Sequence, residues 1–133
     1  MNPEPRKPSV LIVEDEVSLR NALRDKFNRE GFSATDARDG EAGLEAALRE
    51  TPDIILLDIV MPKMDGMAML RKLRLSNGWA KKVPVILLTN LGLDNEKVMK
   101  ETAEVKAVYY LVKSDWPLGS VITKVRDVLS NHK

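Results

Sequence analysis

The chain has 133 residues, of which 44% are hydrophobic and 31% charged, a balance that suits one globular domain with a real core. Its formal net charge of +1 argues against a nucleic-acid or anionic-membrane partner, and the absence of cysteine excludes disulfides, thiolate metal sites and thiol nucleophiles. No apolar stretch approaches the roughly 20 residues needed to cross a bilayer, so a cytoplasmic location is expected.

Residues 1–8 carry three prolines and read as an extended leader. Beyond them strand and helix patterns alternate five times, which predicts an α/β domain over residues 9–130 with a mainly parallel sheet and a short tail at 131–133. A strand over Ser9–Val13 precedes a helix bearing Leu19, Leu23 and Phe27, stopped by Gly31. Phe32–Ala37 reads as a weak strand at a sheet edge. Asp39-Gly40 opens a second helix with Leu44, Ala47 and Leu48 on its buried face, closed by Pro52. Asp53–Leu57 is continuously apolar after its first residue, as a strand covered on both faces should be. Asp65 is placed to cap a third helix carrying Met69, Leu70 and Leu73, ending near Asn77-Gly78. Pro84 leads into a strand over Val85–Leu88. Asp94 is placed to cap a fourth helix with Val98, Thr102 and Val105, and Val108–Val112 forms the fifth strand. Leu118, Val121, Ile122, Val125, Val128 and Leu129 make a full helical stripe behind Pro117. The lone histidine, His132, reads as part of the tail.

Three of the apolar runs end in charge: Glu14 and Asp15 after the first strand, Asp58 after the third, and Lys113 after the fifth. In a parallel sheet all four emerge at the carboxyl edge, where open α/β sheets place their ligands. Clustered carboxylates repel one another unless a proton or cation intervenes, which points to a hard divalent ion. The acid pair also excludes a dinucleotide site, because it stands where such a site needs glycines and would repel a pyrophosphate. Taken singly, each residue has a plainer explanation. Glu14 and Asp15 could complement a helix dipole, Asp58 could cap a turn, and Lys113 could be an exposed strand end.

Together these residues resemble the response-regulator receiver domains. Asp58-Ile59-Val60-Met61-Pro62-Lys63-Met64-Asp65-Gly66 is similar to their phosphorylation loop, and Thr89 and Lys113 follow strands four and five in the family's order. The resemblance implies a (βα)5 doubly wound, flavodoxin-like sheet with strand order 2-1-3-4-5. It further implies that Asp58 accepts a phosphoryl group from a phosphohistidine. Mg2+ would be held by Asp15, Asp58 and the Val60 carbonyl, with Glu14 acting through water. Lys113 would pair with Asp58, and Thr89 with Tyr110 would form a switch acting on helix four, strand five and helix five.

The implied partners are a sensor histidine kinase or a histidine phosphotransfer protein, with no direct nucleic-acid or membrane binding. A monomer able to dimerise on phosphorylation is expected, catalysing only its own phosphorylation and dephosphorylation. With no output domain after the last helix, the expected alternatives are a free-standing regulator or shuttle and an excised receiver. An aspartyl-nucleophile phosphatase competes poorly, because it would need a second aspartate where Val60 stands. A pseudo-receiver that only binds partners is opposed by the complete acceptor set.

Departures from the family pattern are Lys106 in place of a glycine, Ser114 in place of a proline, Asn90 in place of a smaller residue, and apolar Val60 and Leu91 where polar residues are frequent. With serine following, the Lys113-Ser114 peptide is expected to be trans.

Overall fold

The computed structural model describes residues 6–59, 64–76, 78–89, 100, 102, 105, 107–112 and 117–131. Five strands, β1 (Ser9–Val13), β2 (Ser33–Ala37), β3 (Ile54–Asp58), β4 (Val85–Thr89) and β5 (Val108–Val112), form one parallel sheet in the order β2-β1-β3-β4-β5. The helices are α1 (Val17–Arg29), α2 (Gly40–Glu50), α3 (Gly66–Arg74) and a C-terminal helix (Leu118–Asn131), with a short 3-10 turn at Trp79–Lys81. The doubly wound fold and its strand order agree with the sequence expectation. Of the expected fourth helix, only Lys100, Thr102 and Val105 are among the described residues, the first two with helical backbone.

Alternation along the strands builds two cores, one on each face. Val10, Ile12, Ile54, Leu56, Ile86 and Leu88 meet Leu23 and Phe27 of α1 and Val121, Ile122 and Val125 of the C-terminal helix. Leu11, Val13, Ile55, Leu57, Val85 and Leu87 meet Ala46 and Ala47 of α2 and Met69, Leu70 and Leu73 of α3. Full burial of each large side chain contributes about 1.5–3 kcal/mol. β2, written SATDA with only Ala37 buried, is the expected edge strand.

Four boundaries and one helix face differ from expectation. Asp53 precedes β3 rather than opening it, because its carboxylate accepts hydrogen bonds from the Ser9 amide (2.7 Å) and the Ser9 hydroxyl (3.1 Å). At the other end β3 extends through Asp58, which pairs with Leu88, and β4 extends to Thr89, which pairs with Val112. Phe32 lies before β2, its ring edge-on to Phe27 at 5.0 Å. α2 buries Gly43, Ala46 and Ala47, while Leu48 is 37% exposed and Leu44 only partly covered. The helix lies so close to the sheet that a Cβ on Gly43 would come within 2.9 Å of the Val13 methyls. Small residues therefore face β1, and the leucines are displaced to the flanks.

Chain reversals follow local chemistry. Asp39 caps α2 by accepting from the Ala42 amide (2.8 Å), and Asp65 caps α3 by accepting from Ala68 (2.8 Å). Arg74, at the end of α3, donates to the carbonyls of Ala80 (2.9 Å) and Val83 (2.8 Å), tying the 3-10 turn to the start of β4. Burial pushes its guanidinium pKa down from the usual value. α1 ends at Gly31, whose φ of 91° suits glycine, whereas α2 ends on Thr51 at φ 46°. A β-branched residue in the left-handed region carries a cost of about 1–2 kcal/mol that glycine avoids. Thr51→Gly should therefore stabilise the domain by about 1 kcal/mol, read as a raised urea midpoint at constant slope.

Candidate phosphoryl and metal site

The sheet register brings two of the acids level, and the turn after β1 adds the third. Val13 pairs with Leu57, so the residues that follow them, Glu14 and Asp58, stand level at the carboxyl edge of neighbouring strands. The Glu14 amide donates to the Ala37 carbonyl of β2 (3.1 Å), which carries the strand pairing one residue beyond β1. Glu14 is 1% exposed and Asp58 5% exposed, whereas Asp15 faces solvent. One carboxylate oxygen from each of Glu14, Asp15 and Asp58 lies within 4.8 Å of the other two. At that spacing like charges repel by on the order of 3–4 kcal/mol per pair at the effective dielectric of a protein surface.

This donor set fits Mg2+. The ion is hard, takes oxygen ligands at about 2.1 Å in an octahedron, and commonly uses one or two carboxylates with waters completing the shell. Three carboxylate oxygens within 4.8 Å of one another are near enough to share one such ion, directly or through its waters. Among the described residues the cluster holds oxygen ligands alone, which suit a hard ion better than a softer transition metal.

Backbone contacts hold the approach to Asp58 from both sides. The Gly66 amide donates to the Ile59 carbonyl (2.9 Å), and the Gly40 amide donates to the Met64 carbonyl (3.0 Å). Both glycines are sterically required. A Cβ on Gly66 would sit 2.3 Å from the Asp58 carbonyl oxygen, and one on Gly40 would sit 2.0 Å from the Met64 oxygen. α3 thus begins directly against the backbone at the end of β3, and α2 begins against Met64 just before α3.

On β1 the turn after Val13 is closed by its own groups. The Glu16 amide donates to a Glu14 carboxylate oxygen (3.1 Å), and Arg20 of α1 donates to the Glu14 carbonyl (3.1 Å).

The remaining expected site residues are only partly placed. Thr89 ends β4, the strand beside β3, and its backbone pairs with Val112; its side chain is outside the described residues. Val60, Lys113, Asn90, Leu91, Lys106 and Ser114 are also outside them, and with them the Lys113-Ser114 peptide. Tyr110 is half-buried on the α2 and α3 face, and its hydroxyl is hydrogen-bonded to that of buried Thr102.

Sequence reasoning singled out neither Arg20 nor the Thr102–Tyr110 pair, and it quoted Gly66 only as part of a motif. The Gly66 contact had a signal, a glycine directly after a helix-capping aspartate. The other two depend on side chains meeting across elements and had none.

The family model of the response regulator receiver domain matches residues 10–121. Sporulation initiation phosphotransferase F of Bacillus subtilis is 32% identical over 124 residues, covering 92% of this chain and 91% of that protein. Transcriptional activator protein PfeR of Pseudomonas aeruginosa is 43% identical over 91 residues, covering 68% of this chain but 28% of that protein. The chain thus spans only a part of the transcriptional regulators it matches. Among solved structures, the Vibrio cholerae chemotaxis protein CheY4 superposes with a TM-score of 0.82 at 26% identity, covering 92% of this chain and 99% of that one.

The glycine contact yields a direct test. Gly66→Ala forces α3 away from Asp58 and should cost about 1–3 kcal/mol of stability, as overpacking does. Gly119→Ala, where a Cβ meets nothing within 4 Å, should be neutral or stabilising. Thermal or urea unfolding of the two variants measures the contrast.

Proposed function

Because the chain belongs to the response-regulator receiver family, we propose that Asp58 is its phosphoryl acceptor and that residues 9–130 work as a phosphorylation-controlled switch in two-component signalling. The observation that carries this reading is the convergence of Glu14, Asp15 and Asp58 at the carboxyl edge of the sheet. In the transfer step an Asp58 carboxylate oxygen forms a bond to phosphorus. The nitrogen–phosphorus bond of a phosphohistidine breaks, and its electron pair stays on the imidazole nitrogen.

Asp15, Asp58 and the Val60 carbonyl would hold Mg2+, with Glu14 bound through water. When bound, the ion offsets the carboxylate charge and stabilises the transferring phosphoryl oxygens. Near-complete burial of Glu14 and Asp58 limits competing water around the reacting oxygen. Lys113 supplies a flexible point charge, suited to a partner that moves from the carboxylate to the phosphoryl group.

Thr89 and Tyr110 form the switch in this reading. The threonine hydroxyl takes a phosphoryl oxygen, and Tyr110 responds on the adjacent strand, changing the face around β5 and the C-terminal helix. The donor is a sensor histidine kinase or a histidine phosphotransfer protein, and the chain catalyses only its own phosphorylation and dephosphorylation. No helix among the described residues is long and apolar enough to cross a membrane, in keeping with a cytoplasmic switch.

With a small-molecule phosphodonor and Mg2+, the intact chain should gain one phosphoryl group by mass, and Asp58→Asn or chelation by EDTA should abolish the gain. Undiminished labelling of Asp58→Asn would overturn the assignment. The lifetime of the product is also open to test. Hydrolysis needs a water aligned opposite the aspartyl oxygen, and apolar Val60 and Leu91 cannot orient one. Replacing them with Asn and Glu should speed phosphate release by about tenfold per restored contact, corresponding to roughly 1.4 kcal/mol each.

A further inference from the structure

We infer that Arg20 is a positioning residue for the metal site, holding the β1–α1 turn in the shape that brings Glu14 and Asp15 to Asp58. The inference rests on the reading that this acid cluster binds Mg2+. Glu14 and Asp15 stand outside both flanking elements: β1 ends at Val13 and α1 begins at Val17. Glu14 keeps its amide in the sheet ladder, on the Ala37 carbonyl, but its own carbonyl and all of Asp15 belong to a short turn that neither a strand nor a helix fixes. One Arg20 nitrogen donates to the Glu14 carbonyl at 3.1 Å and reaches the Asp15 carbonyl at 3.5 Å. The Arg20 amide makes the ordinary first helical bond, to the carbonyl of the N-cap Glu16 at 2.9 Å, so the side chain starts from the first turn of α1 and folds back over Glu14 and Asp15. A charged donor to a carbonyl forms a stronger bond than a neutral one. Both contacts come from one terminal nitrogen, which a lysine ammonium on its shorter stem would not bring to the same point.

A cation this close to a cation site has a competing effect. Coulomb repulsion alone would make its removal tighten Mg2+ binding, whereas loss of the turn would weaken it. The two roles therefore predict opposite signs. Arg24 provides the control, since it lies on the same helix and pairs with Asp36 of β2 at 2.8 Å without touching the turn.

The experiment is a titration of the full chain with MgCl2, followed by amide chemical shifts in the wild type, Arg20→Ala, Arg20→Lys and Arg24→Ala. Arg20→Ala should raise the Mg2+ dissociation constant by about tenfold, the usual scale for a group supporting metal ligands. Arg20→Lys, which keeps the charge, should restore only part of that loss, and Arg24→Ala should stay within about twofold of wild type. Unchanged or tighter binding by Arg20→Ala would overturn the inference. So would an equal loss in Arg24→Ala, which would trace the effect to general destabilisation of α1. A wild-type chain with no saturable Mg2+ response would remove the metal reading itself, and this inference with it.

Discussion

Electrostatic crowding at the carboxyl edge of the sheet is the constraint around which the rest of the domain is arranged. Glu14 and Asp58 are almost wholly buried, and Asp15 stands beside them with oxygens inside 4.8 Å. Removing carboxylates from water costs several kcal/mol each unless other groups compensate. Such a cluster persists only on a scaffold stable enough to force it. The scaffold here is a central pair of strands, β1 and β3, whose residues Val10–Val13 and Ile54–Leu57 are fully buried on both faces. Their stability holds the charges together, and the held charges create the demand for a cation.

The same scaffold limits how the loops can run. Two helices start against backbone and not against side chains: α3 at Gly66 against Asp58, and α2 at Gly40 against Met64. These contacts leave no room for a Cβ, so the start of α3 is seated on the end of β3 and the start of α2 on Met64. Tyr110 belongs to the same layer, packed against the α2 and α3 core with its hydroxyl on Thr102. The acidic edge and the face around β5 thus adjoin one packed core, which is the arrangement a two-position switch requires.

Arg74 and Arg20 show two uses of one side-chain type. Each guanidinium satisfies backbone carbonyls at an irregular junction, Arg74 between α3, the 3-10 turn and β4, and Arg20 in the turn after β1. Arg74 lies far along α3 from the acids and stabilises a connection. Arg20 holds the residues that carry the acids, so its contribution reaches the chemistry.

Much of the domain was determined by the sequence itself. Continuous apolar runs at β1 and β3, the polar alternation of β2 and the stripe of the C-terminal helix specify a parallel sheet covered on both faces, because strand and helix periods are local properties. Capping by Asp39 and Asp65 and the stop at Gly31 were legible for the same reason. That the acids ending the first and third apolar runs would meet was legible too, since a parallel sheet sends such strand ends to one edge. Tertiary structure decided what depends on distance between elements. It placed small residues of α2 against β1 and moved Leu48 outward, because the closeness of that helix to Val13 is a property of packing and not of periodicity. It extended β3 to include Asp58, because strand length is set by the partner's register. It also set Arg20 on the Glu14 carbonyl and Thr102 on Tyr110, contacts between side chains and atoms of other segments that no local pattern encodes.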